Sequence, residues 1–112
     1  SFLKDCERIL KPGGVFSTQS ESPESFQQIH LNIIKNLREI FDYADPMYGS
    51  VSLYPSGLWS WTFASMEMPK YMYPKESRVK EVSENCQIWS ERWQRGAINT
   101  IPAFIERELA RK

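Results

Sequence analysis

Apolar residues recur every three or four positions at the start of the chain, which predicts an amphipathic helix. They are Phe2, Leu3, Cys6, Ile9 and Leu10. The pattern ends at Pro12-Gly13-Gly14, because proline cannot continue a helix and glycine permits a reversed backbone. Val15 to Gln19 then predicts a short strand, since an apolar pair and a β-branched threonine suit a pleated surface.

The longest helical pattern runs from Phe26 to Phe41. Its predicted buried stripe consists of Phe26, Ile29, Ile33, Leu37, Ile40 and Phe41. Ser22 matches an N-cap and Pro23 a first helical position. His30 lies beside this stripe, and we expect it on the helix surface.

Two strands joined by a tight turn are predicted next. Met47 to Leu53 alternates partly, and Leu58 to Ser65 places Trp59, Trp61 and Phe63 on one face. Between them, Tyr54-Pro55-Ser56-Gly57 has proline at the second turn position and glycine at the last. We therefore expect an antiparallel hairpin. Pro46 is expected on an edge strand or at a bulge, because it cannot donate to a ladder.

The end of the chain is predicted to be helical. Apolar residues at spacings of three and four predict a helix from Ser77 to Trp89. Gly96 is expected to break the chain of helical residues, and a last helix is predicted from Pro102 to Lys112. The whole order predicts an α/β fold with a doubly wound sheet that ends in an antiparallel hairpin and C-terminal helices. In such sheets ligands bind beyond the carboxyl ends of the strands, which points to Gln19, Ser20 and Glu21.

Composition and charge exclude several classes of protein and of binding site. The 112 residues are 41% hydrophobic and 25% charged, which excludes a disordered tail. Fourteen basic side chains balance fourteen acidic ones, so no basic surface for nucleic acid or an anionic membrane is expected. Cys6, Cys86 and the single His30 lack metal-ligand spacing, so we expect free thiols, no metal site and a cytoplasmic location.

Three sequence motifs carry a family resemblance. Arg8 to Phe16, RILKPGGVF, resembles the helix-turn-strand of Rossmann-like transferases that use S-adenosylmethionine. Thr18 to Pro23, TQSESP, and Leu53 to Ser65, LYPSGLWSWTFAS, resemble the spermidine synthases, the polyamine aminopropyltransferase family. The match is to the C-terminal half of that enzyme. Residues 1–112 are therefore expected to be part of one catalytic domain whose upstream nucleotide-binding half is absent.

The resemblance implies transfer of an aminopropyl group from decarboxylated S-adenosylmethionine, a co-substrate, to putrescine, with no tightly bound cofactor. The family's general base and glycine-rich loop lie upstream, so no catalytic residue is assigned here and the chain alone is expected to be inactive. The complete protein is expected to be a homo-oligomer, either a dimer or a tetramer.

The resemblance also implies an amine site. Gln19 and Tyr54 are the expected putrescine ligands, and Pro55 and Trp59 the apolar walls around its carbon chain. Glu21 is a further site candidate, or a charge that favours the helix dipole. Two other functions stay open: a polyamine N-methyltransferase of the same fold, and a non-catalytic interaction fragment.

Overall fold

A computed structural model describes residues 1–68, 72 and 74–111 of the chain. In order, these residues form α1 (Phe2–Ile9), β1 (Phe16–Gln19), α2 (Gln27–Ile40), β2 (Tyr43–Ser50), β3 (Leu58–Ser65), α3 (Glu76–Glu84), α4 (Glu91–Asn99) and α5 (Ala103–Ala110). The predicted α1, β1, α2, β3 and α5 are confirmed to within a few residues. Lys112, the predicted end of the last helix, lies outside the described residues.

The sheet has the strand order β1-β3-β2, and both outer strands run antiparallel to β3. The expected hairpin of β2 and β3 is therefore confirmed. β1 and β2 point in the same direction and are connected by α2, as in a parallel α/β unit, but β3 fills the position between them. Pro46 lies in β2, which is an edge strand among the described strands, as expected.

Three predictions about the bounds of elements are wrong. The helix expected from Ser77 to Trp89 ends at Glu84, as α3. β2 begins at Tyr43 instead of Met47, because α2 ends at Ile40 and Phe41 is already extended. Gly96 does not break the chain but lies inside α4, whose first turn is capped by the Ser90 side chain. One glycine costs a helix only about 1 kcal/mol relative to alanine, which capping and packing offset.

The buried side of α2 also differs from the predicted stripe. It consists of His30, Leu31, Ile34 and Leu37, whereas Phe26 and Ile29 are 48% and 51% exposed. The core is formed by Leu37, Phe41, Ala44 and Ala64, with half-buried side chains from α1 and β1 around them. Because apolar residues such as Ile33 and Ile34 are adjacent in sequence, either of two neighbouring faces of α2 could be buried. Packing of α2 on the sheet decides which face it is.

The two faces of the sheet have different side chains. Ser60, Thr62 and Ala64 of β3 are buried, and α2 packs against β2 and β3. Trp59, Trp61 and Phe63 alternate with them and are half-buried on the opposite face. There α4 packs against β2 and leaves a cavity of about 270 Å³ whose lining includes Met47, Phe63 and Trp93. None of the helices in the described ranges is long and apolar enough to cross a membrane.

The outer edge of β1 is unpaired in the described part of the chain and lies beside exposed apolar side chains. Among the described strands β1 pairs only with β3, and Phe2 and Ile9 of the neighbouring α1 are 74% and 70% exposed. An unpaired edge beside exposed apolar side chains favours association. We therefore expect residues 1–112, expressed alone, to aggregate or to stay molten. A sharp, cooperative thermal transition with dispersed amide resonances would contradict this expectation.

Candidate functional site

The expected site residues lie at one end of the sheet. Since β1 and β2 point in the same direction, the loop after β1 and the turn after β2 share an edge. The hydroxyls of Ser22 and Ser56 are 2.8 Å apart, and the backbone N–H of Ser20 donates to the Ser60 carbonyl at 3.0 Å. We call residues 19–22 together with 54–59 the rim. The sequence alone did not determine that both segments meet here.

The hairpin turn has the predicted geometry. The Gly57 N–H donates to the Tyr54 carbonyl at 3.0 Å, which closes a four-residue turn. Gly57 has a φ of 73°, a conformation that residues with a Cβ rarely adopt. The turn fixes where Tyr54 and Pro55 project from the rim.

Aromatic rings form a row on the face of the sheet opposite α2. Tyr54 meets Trp59 edge-on, with ring centroids 4.6 Å apart and an interplanar angle of 64°. Trp61 lies two residues further along β3, and a Cβ added to Gly49 would come within 3.3 Å of its ring. Gln19 is the direct cross-strand partner of Trp61, so both side chains share this face. The row thus has a phenol at one end and an amide beside the other.

This arrangement suits a ligand with polar ends and an apolar middle. Gln19 and Pro55 are exposed, Tyr54 is 43% exposed, and Glu21 and Trp59 are half-buried. The phenol and the amide carbonyl can each accept a hydrogen bond from an ammonium group, and the indole rings offer apolar surface. Within the described residues, no cluster of three or more His, Cys, Asp and Glu side chains could hold a metal ion.

The loop after β1 has a special backbone conformation. Glu21 has a φ of 65° and is the only non-glycine residue with a positive φ in the described part of the chain. Its carbonyl accepts a hydrogen bond from the Ser60 hydroxyl at 2.6 Å. The next residue, Ser22, accepts hydrogen bonds from the N–H groups of Glu24 and Ser25. Ser22 therefore closes the turn before the helix, but its predicted role as N-cap of α2, with Pro23 at the first helical position, is wrong: α2 begins at Gln27, and its N-cap is Phe26, which makes no side-chain capping bond.

His30 is fully buried, so its predicted position on the helix surface is wrong. Its Nδ1 lies 2.6 Å from the Ser20 carbonyl oxygen and its Nε2 2.8 Å from the Tyr48 hydroxyl. Burial lowers the pKa of His30, although the hydrogen bond to Ser20 opposes this. Burial also raises the pKa of Tyr48, and the charge of Arg38 opposes this. The imidazole is therefore neutral at pH 7.

Serine and threonine hydroxyls extend this buried network. The Thr62 hydroxyl donates to Ser20 Oγ at 2.8 Å, and the hydroxyls of Ser20 and Ser60 are 2.7 Å apart. All three side chains are fully buried. Sequence reasoning missed Ser60 and Thr62 because their alternation with tryptophan resembles a solvent-facing side. Ser20 is predicted at the mouth of the site, but its side chain is buried beneath it. The signal in the sequence is the small size of the side chains at positions 60, 62 and 64, which lets a helix pack closely against this face of β3.

Comparison with known protein families gives a match over most of the chain. The model of the spermine/spermidine synthase domain matches residues 1–74, a range that includes the whole rim and α2. The chain is 85% identical over 111 residues to the polyamine aminopropyltransferase of Prochlorococcus marinus strain NATL1A. It is 81% identical over 112 residues to that of strain NATL2A. It spans 38% and 39% of the lengths of these relatives.

Solved structures resemble the chain over nearly its whole length. The spermidine synthase of Thermotoga maritima superposes with a TM-score of 0.85 at 26% identity, covering 96% of this chain and 38% of that enzyme. A spermidine synthase in complex with the transition-state analogue AdoDATO gives the same TM-score and identity and covers 96% of this chain and 37% of its own. The predicted fold class, an α/β fold of the spermidine synthase type with an antiparallel hairpin followed by helices, is thereby confirmed.

Proposed function

Because the chain belongs to the spermine/spermidine synthase family, we propose that it forms part of the amine-binding side of an aminopropyltransferase. The complete enzyme would transfer the aminopropyl group of decarboxylated S-adenosylmethionine to putrescine. The names of the relatives and the solved complex with a transition-state analogue support this reaction class. Since the chain spans 38% of the NATL1A relative, we propose that residues outside it bind the nucleotide and that the chain alone is inactive.

The reaction is a direct displacement at carbon. The lone pair of a putrescine amine attacks the methylene carbon bonded to the sulfonium. A C–N bond forms, the C–S bond breaks, and its electron pair goes to sulfur, which leaves as neutral methylthioadenosine. The amine must lose a proton to a base, because an ammonium has no lone pair. A carboxylate within hydrogen-bond reach suits this role, and we propose that it lies outside this chain.

The residues of this chain would bind and orient the diamine. Gln19 and Tyr54 would each accept a hydrogen bond from a nitrogen, and Pro55 and Trp59 would contact the four-carbon chain. The carboxylate of Glu21 would attract the cationic substrate. One observation carries this assignment: hydrogen bonds of Ser22 with Ser56 and of Ser20 with Ser60 join the two segments that carry these side chains.

The proposed function is tested in a hybrid enzyme, in which this chain replaces the matching 111 residues of the NATL1A relative. We expect the hybrid to convert putrescine and decarboxylated S-adenosylmethionine into equal amounts of spermidine and methylthioadenosine. The unaltered relative is the control. Methylated putrescine formed from S-adenosylmethionine would indicate the methyltransferase instead. A folded but inactive hybrid beside an active relative would indicate the interaction fragment.

We further propose that the complete protein is a cytoplasmic homo-oligomer, either a dimer or a tetramer. Ile88, between α3 and α4, and Trp93 in α4 support an interface in the C-terminal part of this chain, because they are 71% and 60% exposed. Large apolar side chains in such positions are typical of surfaces that another chain covers.

A further inference from the structure

The backbone conformation of the loop after β1 must be stabilised by contacts with other parts of the fold. A residue with a Cβ loses free energy in the left-handed region, so the φ of 65° at Glu21 persists only where surrounding contacts determine it. This residue lies two positions after Gln19 in the rim. The conformation of Glu21 sets the direction in which its own side chain leaves the loop, beside Gln19 at the end of β1.

The hydrogen bonds around this loop have a determined direction. A carbonyl oxygen only accepts, so the Ser60 hydroxyl must donate to Glu21 at 2.6 Å. Having used its proton, Ser60 accepts from the Ser20 hydroxyl at 2.7 Å, and Ser20 in turn accepts from Thr62 at 2.8 Å. The three hydroxyls thus form one oriented chain that ends at the Glu21 carbonyl.

His30 holds the preceding carbonyl in the same way. Because the Ser20 carbonyl can only accept, the proton of the neutral imidazole is on Nδ1, which donates to it at 2.6 Å. The Ser60 Oγ is also within 3.1 Å of this nitrogen. Nε2 is then the acceptor for the Tyr48 hydroxyl at 2.8 Å. Two successive carbonyls of the loop are therefore held by side chains from two different elements, α2 and β3.

We propose that Ser60 and His30 are positioning residues for the amine site. They fix the Ser20 and Glu21 carbonyls, hold the left-handed turn and so set the positions of Gln19 and Glu21 against a bound diamine. Ser60 and His30 are fully buried and do not reach the open surface of the rim themselves. The assignment rests on the proposed function, because its kinetic readout is the binding of the diamine.

The test compares Ser60→Ala with Tyr48→Phe in the hybrid enzyme. Each variant removes one buried hydroxyl that contacts His30, but only Ser60→Ala releases the Glu21 carbonyl. We expect Ser60→Ala to raise the KM for putrescine about tenfold and to leave the KM for the donor within about twofold. Tyr48→Phe should leave both KM values within about twofold. If the two variants are equally destabilised and neither changes the KM for putrescine, the residues are merely structural and the proposal is wrong.

A second readout does not depend on activity. The N–H groups of Ser20, Glu24 and Ser25 are hydrogen-bonded to Ser60 or Ser22, so we expect these amides to exchange slowly. In the hybrid, Ser60→Ala should speed exchange in residues 19–25 by about tenfold, and Tyr48→Phe should not. If Ser60→Ala does not fold, Ser60→Cys takes its place, because a thiol fills the site and is only a weak hydrogen-bond donor to the Glu21 carbonyl. Unchanged exchange in the loop would overturn the proposal, whereas an inactive unsubstituted hybrid would overturn only the proposed function.

Discussion

Tyr54→Phe in the hybrid enzyme is expected to lower kcat/KM for putrescine by about ten- to a hundredfold. The change removes one hydrogen bond to a charged or nascent amine, worth about 1.5–3 kcal/mol, and about 1.4 kcal/mol corresponds to a factor of ten. The phenyl ring still packs edge-on against Trp59, so the free energy of unfolding should change little. The KM for the donor should also stay the same, because the proposed nucleotide site lies outside the chain. Steady-state kinetics with each substrate varied in turn gives both values.

A second substitution in the proposed amine site and a control substitution outside it extend this test. Gln19→Leu should have a similar effect, because it removes the polar group beside the other end of the aromatic row. Tyr43→Phe is the matched control, since Tyr43 is 37% exposed at the start of β2, at the opposite end of the sheet from the rim. If Tyr54→Phe and Gln19→Leu leave the putrescine dependence of a folded enzyme unchanged, neither residue is an amine ligand.

His30→Leu is expected to lower the free energy of unfolding of the hybrid by about 2–5 kcal/mol, because it leaves the buried Ser20 carbonyl and Tyr48 hydroxyl without this partner. Urea denaturation followed by tryptophan fluorescence measures the loss. Asn32→Leu, an identical new side chain at an exposed position of the same helix, should change stability by less than about 0.5 kcal/mol. A His30→Leu variant as stable as this control would show that the buried network contributes nothing.

The same histidine makes stability depend on pH in a definite direction. Its pKa in the folded protein lies below the ordinary value of 6.5, so the unfolded chain takes up a proton first as the pH falls. The stabilisation is therefore complete above pH 6.5 and decreases as the pH falls below it. Unfolding measured from pH 7 to pH 5 should show a smaller decrease in His30→Leu than in the unsubstituted hybrid. Equal pH dependence in both would contradict this prediction.

Local sequence patterns determined much of this protein. α1 and β3 follow from spacings of three to four and of two, and the turn at Tyr54-Pro55-Ser56-Gly57 follows from the backbone preferences of proline and glycine. The motifs around Thr18 to Pro23 and Leu53 to Ser65 carried the family resemblance. These features are local because each depends on residues that are close together in the chain.

The tertiary structure alone decided which side of each element is buried. The side chains of His30, Ser60 and Thr62 are polar, so a prediction from local sequence pattern places them in solvent. Their burial becomes favourable only because β1, α2, β2 and β3 bring donors and acceptors together that are between 10 and 42 residues apart in the chain. The meeting of Gln19 and Tyr54 at one rim has the same origin, since it depends on β3 lying between β1 and β2. Hydrogen-bond satisfaction and strand order are properties of the whole fold, and no local window of sequence contains them.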